Sequence, residues 1–364
     1  MTVHATARIC SHRLMRSPST SRVEVPFSAR FHFARSGRNP DGTPVEGLRM
    51  IRFEHRPVML DEVVEVLAAA PEGLYVDATL GGAGHATAVL DAAPQLSLVG
   101  LDQDPDAMDA ATAALGRFGR RALLVRARFD RVGEVLDSLG RPGPAGVAAA
   151  LFDLGVSSPQ LDRPERGFSY RAEGALDMRM DPEGPVTASD VVNGWSEADL
   201  VRLFREHGEG RFATRIARHI VAARPVGSTT ELAGVVRDAI PAAARRTGGH
   251  PARRVFQAVR VAVNDELAVL PGALDEVLDR LVPGGRLAVL AYHSGEDRIV
   301  KDRFRRAATG GCVCPPGLPC GCGARPSVRL LWRGARRPGP AEVQANHRAE
   351  SARLRAVEGI AHDD

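Results

Sequence analysis

Between residues 74 and 153 short apolar runs alternate with helix-length segments, and this alternation narrows the fold more than any other feature. Residues 74–78, 97–101, 122–126 and 147–152 read as strands, and 84–92, 105–116 and 130–139 read as helices. Strands that are apolar along their whole length are buried on both faces, the pattern of a parallel sheet covered by helices on two sides. The alternation stops after Asp153. Residues 160–185 are polar and loop-like, and 190–245 reads as helices only, at 197–205, 211–223 and 230–240. One long helix is predicted near 252–270, and strands return at 286–292 and 328–332. The expected fold class is α/β: a doubly wound, mostly parallel, Rossmann-like sheet interrupted by an all-helical insertion domain. The sheet domain then comprises 51–159 and 251–364, the latter with a C-terminal tail, and the insertion comprises 160–250.

Residues 1–50 are rich in Arg, Ser and Pro, poor in acids and without sustained periodicity. Three readings fit: a disordered tail or a start assigned upstream of Met50, a mitochondrial transit peptide, or an RNA-binding arm. No apolar run approaches the ~18–20 residues of a membrane helix, so no membrane partner is expected. Residues 1–30 lack the apolar segment of a secretory signal, which makes the cytoplasm the expected compartment. The net charge of +4 is compatible with a polyanionic partner without requiring one.

The chemistry concentrates at Val76-Asp77-Ala78-Thr79-Leu80-Gly81-Gly82-Ala83-Gly84-His85, between the first strand and a helix. Glycines there let the backbone come close to a ligand at the carboxyl end of the sheet. The second strand ends in Asp102, placed to meet ribose hydroxyls. Asp77 ends the first strand beside the loop, where a dinucleotide pyrophosphate would be repelled. S-adenosylmethionine has no phosphate and carries an ammonium, so a carboxylate here favours that methyl donor.

The fourth strand ends in Asp153, followed by Ser157, Ser158, Pro159 and Gln160. An exocyclic amine such as cytosine N4 is a poor nucleophile, because its lone pair is delocalised into the ring. A methylating site must hold the methyl in line and accept hydrogen bonds from the amine. An Asp, hydroxyls and carbonyls on a Pro-stiffened loop suit that task. Asp153, Ser157, Ser158 and Pro159 are therefore the candidate catalytic residues. The bland alternative is a turn capping the next segment.

Several motifs occur in order: Asp-x-Thr-x-Gly-x-x-Gly-His from Asp77, Asp153-Leu-Gly-Val-Ser-Ser-Pro-Gln-Leu-Asp162, Arg166-Gly-Phe-Ser169, Leu176-Asp-Met-Arg-Met-Asp181 and His293-Ser-x-Glu-Asp-Arg298. With His55-x-Pro-Val58 and Phe256-Gln-Ala-Val-Arg260, they make residues 54–357 resemble the ribosomal RNA small-subunit methyltransferase H family. The resemblance implies a class I methyltransferase fold and S-adenosylmethionine-dependent methylation of N4 of one cytidine in the decoding region of 16S rRNA, position 1402 in the usual nucleotide numbering. It also implies cofactor contacts at Ala83, Gly84, His85, Asp102, Phe129, Asp153 and Gln160. Asp77 and Gly82 join them from the loop reading. The chain departs from the family pattern at Gly295 and at Asn346-His347-Arg348. Two other functions compete: a DNA amino-methyltransferase, against which the missing second Pro and aromatic after Ser158-Pro159 argue, and a non-catalytic RNA-binding module.

For the RNA side, the helix near 252–270 carries Arg253, Gln257, Arg260 and Asn264 as one polar stripe. Arg253, Arg260, His293 and Phe168, the last as a stacking ring, are the candidate RNA or base contacts. Cys312, Cys314, Cys320 and Cys322 crowd one Pro/Gly segment. No metal is expected there; thiols are the expected state, with a four-thiolate zinc site and disulfides as the alternatives.

Overall fold

The computed structural model describes residues 56–140, 146–246, 250–315 and 321–361; the side chains of Ser158, Pro159 and Arg246 also lie outside the description. The three readings of residues 1–50 fall outside the described residues.

The chain runs α1 (Leu60–Ala68), β1 (Gly73–Asp77), α2 (Gly84–Ala92), β2 (Leu96–Asp102), α3 (Pro105–Leu115), β3 (Ala122–Arg126), α4 (Val132–Ser138) and β4 (Val147–Asp153). A short α5 (Ser158–Asp162) leads into α6 (Ala188–Gly194), α7 (Glu197–Glu206), α8 (Ala213–Ala222), α9 (Thr229–Ala239) and α10 (Ala252–Asn264). The sheet resumes after α11 (Glu266–Leu278) with β5 (Leu281–Ala291), α12 (Ser294–Thr309), β6 (Val328–Leu330), α13 (Pro340–Ala345) and β7 (Arg353–Gly359).

The seven strands lie in the order β3-β2-β1-β4-β5-β7-β6. Strands β1 to β5 are parallel, while β7 is antiparallel to both β5 and β6. Strand order reverses between β1 and β4, which opens a crevice beyond their carboxyl ends where ligands bind in such sheets. The central strands β1 and β4 are apolar up to their terminal Asp because both faces are covered. In β4, Ala149 and Leu151 pack with α1 and α2, whereas Val147, Ala150 and Phe152 pack with α4, α11 and α12. The expected α/β architecture is what the chain forms.

A third apolar cluster joins α6 to α9, including Val191, Phe204, Ile216, Ile220 and Val236, all fully buried. Ser196 and Ser228 cap α7 and α9 through their hydroxyls, and Thr187 with Asp190 forms a capping box on α6. Val255, Phe256 and Val259 of α10 belong to this same cluster. The helical packing therefore continues past residue 250 to the end of α10.

Two expectations are corrected here. The single helix near 252–270 is two helices, because Asp265 adopts the left-handed conformation (φ 53°) between α10 and α11. Asp is among the few residues that accept that conformation at modest cost. The supposed C-terminal tail supplies β7, which inserts between β5 and β6 with an alternating buried pattern.

Candidate active site

Three neighbouring strands deliver three carboxylates to the crevice: Asp77 from β1, Asp102 from β2 and Asp153 from β4. Asp77 is buried. Its carboxylate accepts the Tyr75 hydroxyl at 3.0 Å and the Thr79 amide at 3.3 Å. Burial pushes it up to about 7, opposed by those hydrogen bonds and reinforced by the charges of Asp153 and Asp102. Burial also raises Asp102 above its ordinary value. Both Asp102 oxygens are braced: Oδ2 accepts from the Gly81 amide at 2.8 Å and Oδ1 from the Asp104 amide at 2.9 Å.

Asp153 is partly open, with 24 % of its side chain exposed. Its amide donates to Thr79 Oγ1 at 2.6 Å, tying the β4 end to the glycine loop. The ring of Tyr292, just past β5, lies beside the Asp153 carboxylate, and burial followed by that charge pushes the phenol well above its ordinary value. His85 is buried; its Nε2 donates to the Val58 carbonyl at 3.0 Å, so Nδ1 faces Asp153 Oδ2 at 3.6 Å.

The glycine loop divides its labour. Gly81 and Ala83 take left-handed backbone (φ 52° and 61°), which turns the chain into α2. A Cβ at Gly82 would meet nothing within 4 Å, so its face is open to a ligand. A Cβ at Gly84 would lie 2.5 Å from Pro57 Cγ. The sequence reading gave Gly84 to the ligand; here its small size seats Pro57 of the His55-x-Pro-Val58 motif. Phe129, half-buried after β3, sets its ring edge-on to Phe152 at 6.1 Å and forms an apolar wall on the β3 side.

Ser157 and Gln160 form a reciprocal cap on α5: the Ser157 amide donates to Gln160 Oε1 at 3.0 Å and the Gln160 amide donates to Ser157 Oγ at 3.4 Å. Gln160 Nε2 then donates to Asp104 Oδ2 at 3.0 Å. Arg166 joins the same oxygen at 2.9 Å and also reaches the carbonyls of Arg179 and Met180. Both polar ends of Gln160 are thus engaged by the protein, and the residue braces the loop after β4 against β2. The candidate roles of Ser158 and Pro159 rest on side chains outside the described residues.

The RNA-side candidates separate. Arg253 is exposed on α10. Arg260 is not available to RNA: it makes a buried bidentate pair with Glu266, both contacts at 2.9 Å, with Glu296 at 3.9 Å. Asn264 accepts from the Met180 amide and donates to the Met178 carbonyl, each at 2.8 Å. The stripe on α10 therefore docks the 176–181 loop and α11 instead of facing a polyanion along its length. His293 caps α12; its Nδ1 accepts from the Gly295 amide at 3.2 Å and the Glu296 amide at 3.4 Å. Its Nε2 lies 2.9 Å from Glu296 Oε1 but off the hydrogen-bonding axis, and among the described residues neither atom has a hydrogen-bond partner. Phe168 is only 6 % exposed, and the Arg166 guanidinium sits 5.9 Å from its ring centroid. That burial corrects the stacking assignment: the ring has no free face for a base. Tyr170 stacks on His250 at 4.5 Å.

The MraW methylase family matches this chain over residues 52–360. The chain belongs to the MraW methylase family. Among its relatives, the ribosomal RNA small subunit methyltransferase H of Heliobacterium mobile is 49% identical over 315 residues, covering 85% of this chain and all of that one. The protein of that name from Acidothermus cellulolyticus is 53% identical over 313 residues, covering 84% of this chain and 94% of its own. The one from Mycobacterium sp. strain KMS is 50% identical and covers 93% of each chain, a match that reaches into residues 1–50.

In this MraW-family chain, three residues matter that the sequence reading passed over. Asp104, fully buried, is the hub joining Gln160 and Arg166; its signal was the Asp-Pro pair opening α3. Thr79 links the loop to Asp153, and Glu266 holds Arg260. Thr79 stands in the loop motif, but its link to Asp153 lies 74 residues away, and Glu266 meets Arg260 across a helix break with no local signal.

Proposed function

We propose that this chain transfers a methyl group from S-adenosylmethionine to the N4 amine of a cytidine in the 16S rRNA of the small ribosomal subunit, in the cytoplasm. The observation that carries the donor is the convergence of Asp77, Asp102 and Asp153 beside a loop open at Gly82. The carboxylates of Asp102 and Asp153 repel a pyrophosphate and favour a ligand bearing a sulfonium and an ammonium, and Asp77, pushed up to about 7, adds a partial charge near neutral pH. The name borne by the relatives supports the RNA substrate.

When bound, S-adenosylmethionine supplies a methyl on a positively charged sulfur. Asp102, with both oxygens fixed by backbone amides, is oriented to accept the ribose hydroxyls. Phe129 offers the apolar wall for adenine. Asp153 accepts a hydrogen bond from the N4 amine and aligns its lone pair as the ring conjugation is broken. With the donor bound, the methyl would pass from sulfur to this nitrogen as the sulfur–carbon bond breaks, and the nitrogen would shed one proton. Asp153, with His85 Nδ1 behind it, lies on the route by which that proton leaves. N4 is paired inside a duplex, so the cytidine must be unstacked to reach this crevice.

The test is transfer of labelled methyl to 30S subunits, naked 16S rRNA and DNA. Labelled N4-methylcytidine from ribosomal RNA is the expected result. Transfer to DNA alone would make the chain a DNA amino-methyltransferase. Cofactor binding without transfer to any of the three would leave a binding module.

A further inference from the structure

Four of the five cysteines lie in the segment between α12 and β6, far in sequence from every strand-end carboxylate, and the methyl-transfer chemistry makes no use of them. Among the described residues, the sulfurs of Cys312, Cys314 and Cys322 all lie within 4.8 Å of one another, and those of Cys312 and Cys322 are 3.7 Å apart. Cys320 lies outside the described residues.

We propose that Cys312, Cys314 and Cys322 bind a zinc ion that clips the ends of this loop together. Sulfurs at ~2.3 Å from a tetrahedral zinc stand about 3.8 Å apart, close to the Cys312–Cys322 separation. A disulfide needs sulfurs at ~2.05 Å and would occupy two of the thiols only. Here three converge, which a metal uses and a disulfide does not. Thiolates select a borderline-soft ion such as zinc over magnesium or calcium. On binding, each thiol gives its proton to solvent.

The loop has reason to need a clip. Val313 is 85 % exposed, and no residue of 310–315 or 321–325 joins an apolar cluster. Its base is narrow: a Cβ on Gly310 would lie 2.4 Å from the Arg325 backbone, and the Ser327 amide donates to the Ala307 carbonyl at 3.0 Å. Ser327 also accepts from the Ile360 amide at 3.0 Å, just past β7. A metal at the base therefore fixes the approach to β6, the three-residue strand that, among the described residues, pairs with β7 alone.

The experiment uses the full chain, purified without chelator or polyhistidine tag, with metal content measured by mass spectrometry. About one zinc per chain is expected. Cys312→Ser, Cys314→Ser and Cys322→Ser should each lower the zinc retained after dialysis against a weak chelator roughly tenfold or more. Cys10→Ser should retain it. Cobalt exchanged into the unaltered chain should give the charge-transfer and ligand-field bands of tetrahedral thiolate coordination, a readout that does not depend on the variants folding or on methyl transfer. Zinc-free chain from zinc-supplemented culture with no thiolate–cobalt spectrum would overturn the proposal. So would a mass two hydrogens lower than the thiol form, or zinc held equally after all three substitutions.

Discussion

The Gly81 amide donates to Asp102 Oδ2 at 2.8 Å, so the glycine loop after β1 and the carboxylate ending β2 are held as one unit. Asp104 occupies the other oxygen. Asp102→Ala should weaken S-adenosylmethionine binding by roughly ten- to a hundredfold, the ~1–3 kcal/mol of unmet hydrogen bonds in a partly buried site. Asp102→Asn should be nearly as damaging, since its NH₂ must face one of the two donating amides. Calorimetry giving wild-type affinity for the Asn variant would sink this reading.

Gly82 and Gly84 should respond in opposite ways. Gly82→Val enters open space, so melting should change little while cofactor affinity falls. Gly84→Val drives against Pro57 and should lower the melting temperature, at ~1–3 kcal/mol for overpacking. Equal melting temperatures for the two variants would show that the Pro57 contact yields freely.

Asp77 should make stability fall as pH rises. Its folded value of about 7 stands above the 3.8 of an exposed Asp, so between those values the folded chain holds a proton that the unfolded chain has lost. The contribution is favourable below pH 4 and is lost progressively up to pH 7, above which it stays constant. Asp77→Asn should therefore gain stability relative to the unaltered chain across that window, by ~2–4 kcal/mol at pH 8. Urea unfolding of both chains at pH 5 and 8 measures it. A difference that does not grow with pH would contradict the buried carboxyl.

Arg260→Ala should destabilise the fold and leave intrinsic RNA affinity unchanged, because it strands Glu266 below the surface at a cost of ~3–5 kcal/mol. Arg253→Ala, on the exposed face of the same helix, should leave melting unaltered and reduce the salt slope of RNA binding by about one. If Arg260→Ala melted normally and bound RNA weakly, the ion pair would be incidental.

What the sequence made legible was local. Strand ends at Asp77, Asp102 and Asp153 could be read because buried parallel strands are apolar and stop where a carboxylate begins. The break at Asp265 could not, since the periodicity of α10 runs on into α11 while the backbone turns at a single residue. Strand β7 was hidden because its partners, β5 and β6, are distant, and alternation in seven residues rich in Arg resembles an exposed tail. Arg260 and Phe168 looked like surface contacts because burial depends on Glu266 and Arg166, which meet them only after folding.

The most direct test of the methyl-transfer site is a paired measurement on Asp153→Asn, with S-adenosylmethionine affinity by calorimetry and transfer to 30S subunits at saturating cofactor. Asn keeps the shape but removes the charge that faces the amine. The expected result is N4-methylcytidine at one nucleotide with the unaltered chain, and a rate lower by ~10²–10³ in the variant even when cofactor fills its site. Transfer by the variant at the unaltered rate would contradict the role of Asp153, and methyl transfer to an atom other than a cytidine N4 would contradict the reaction itself.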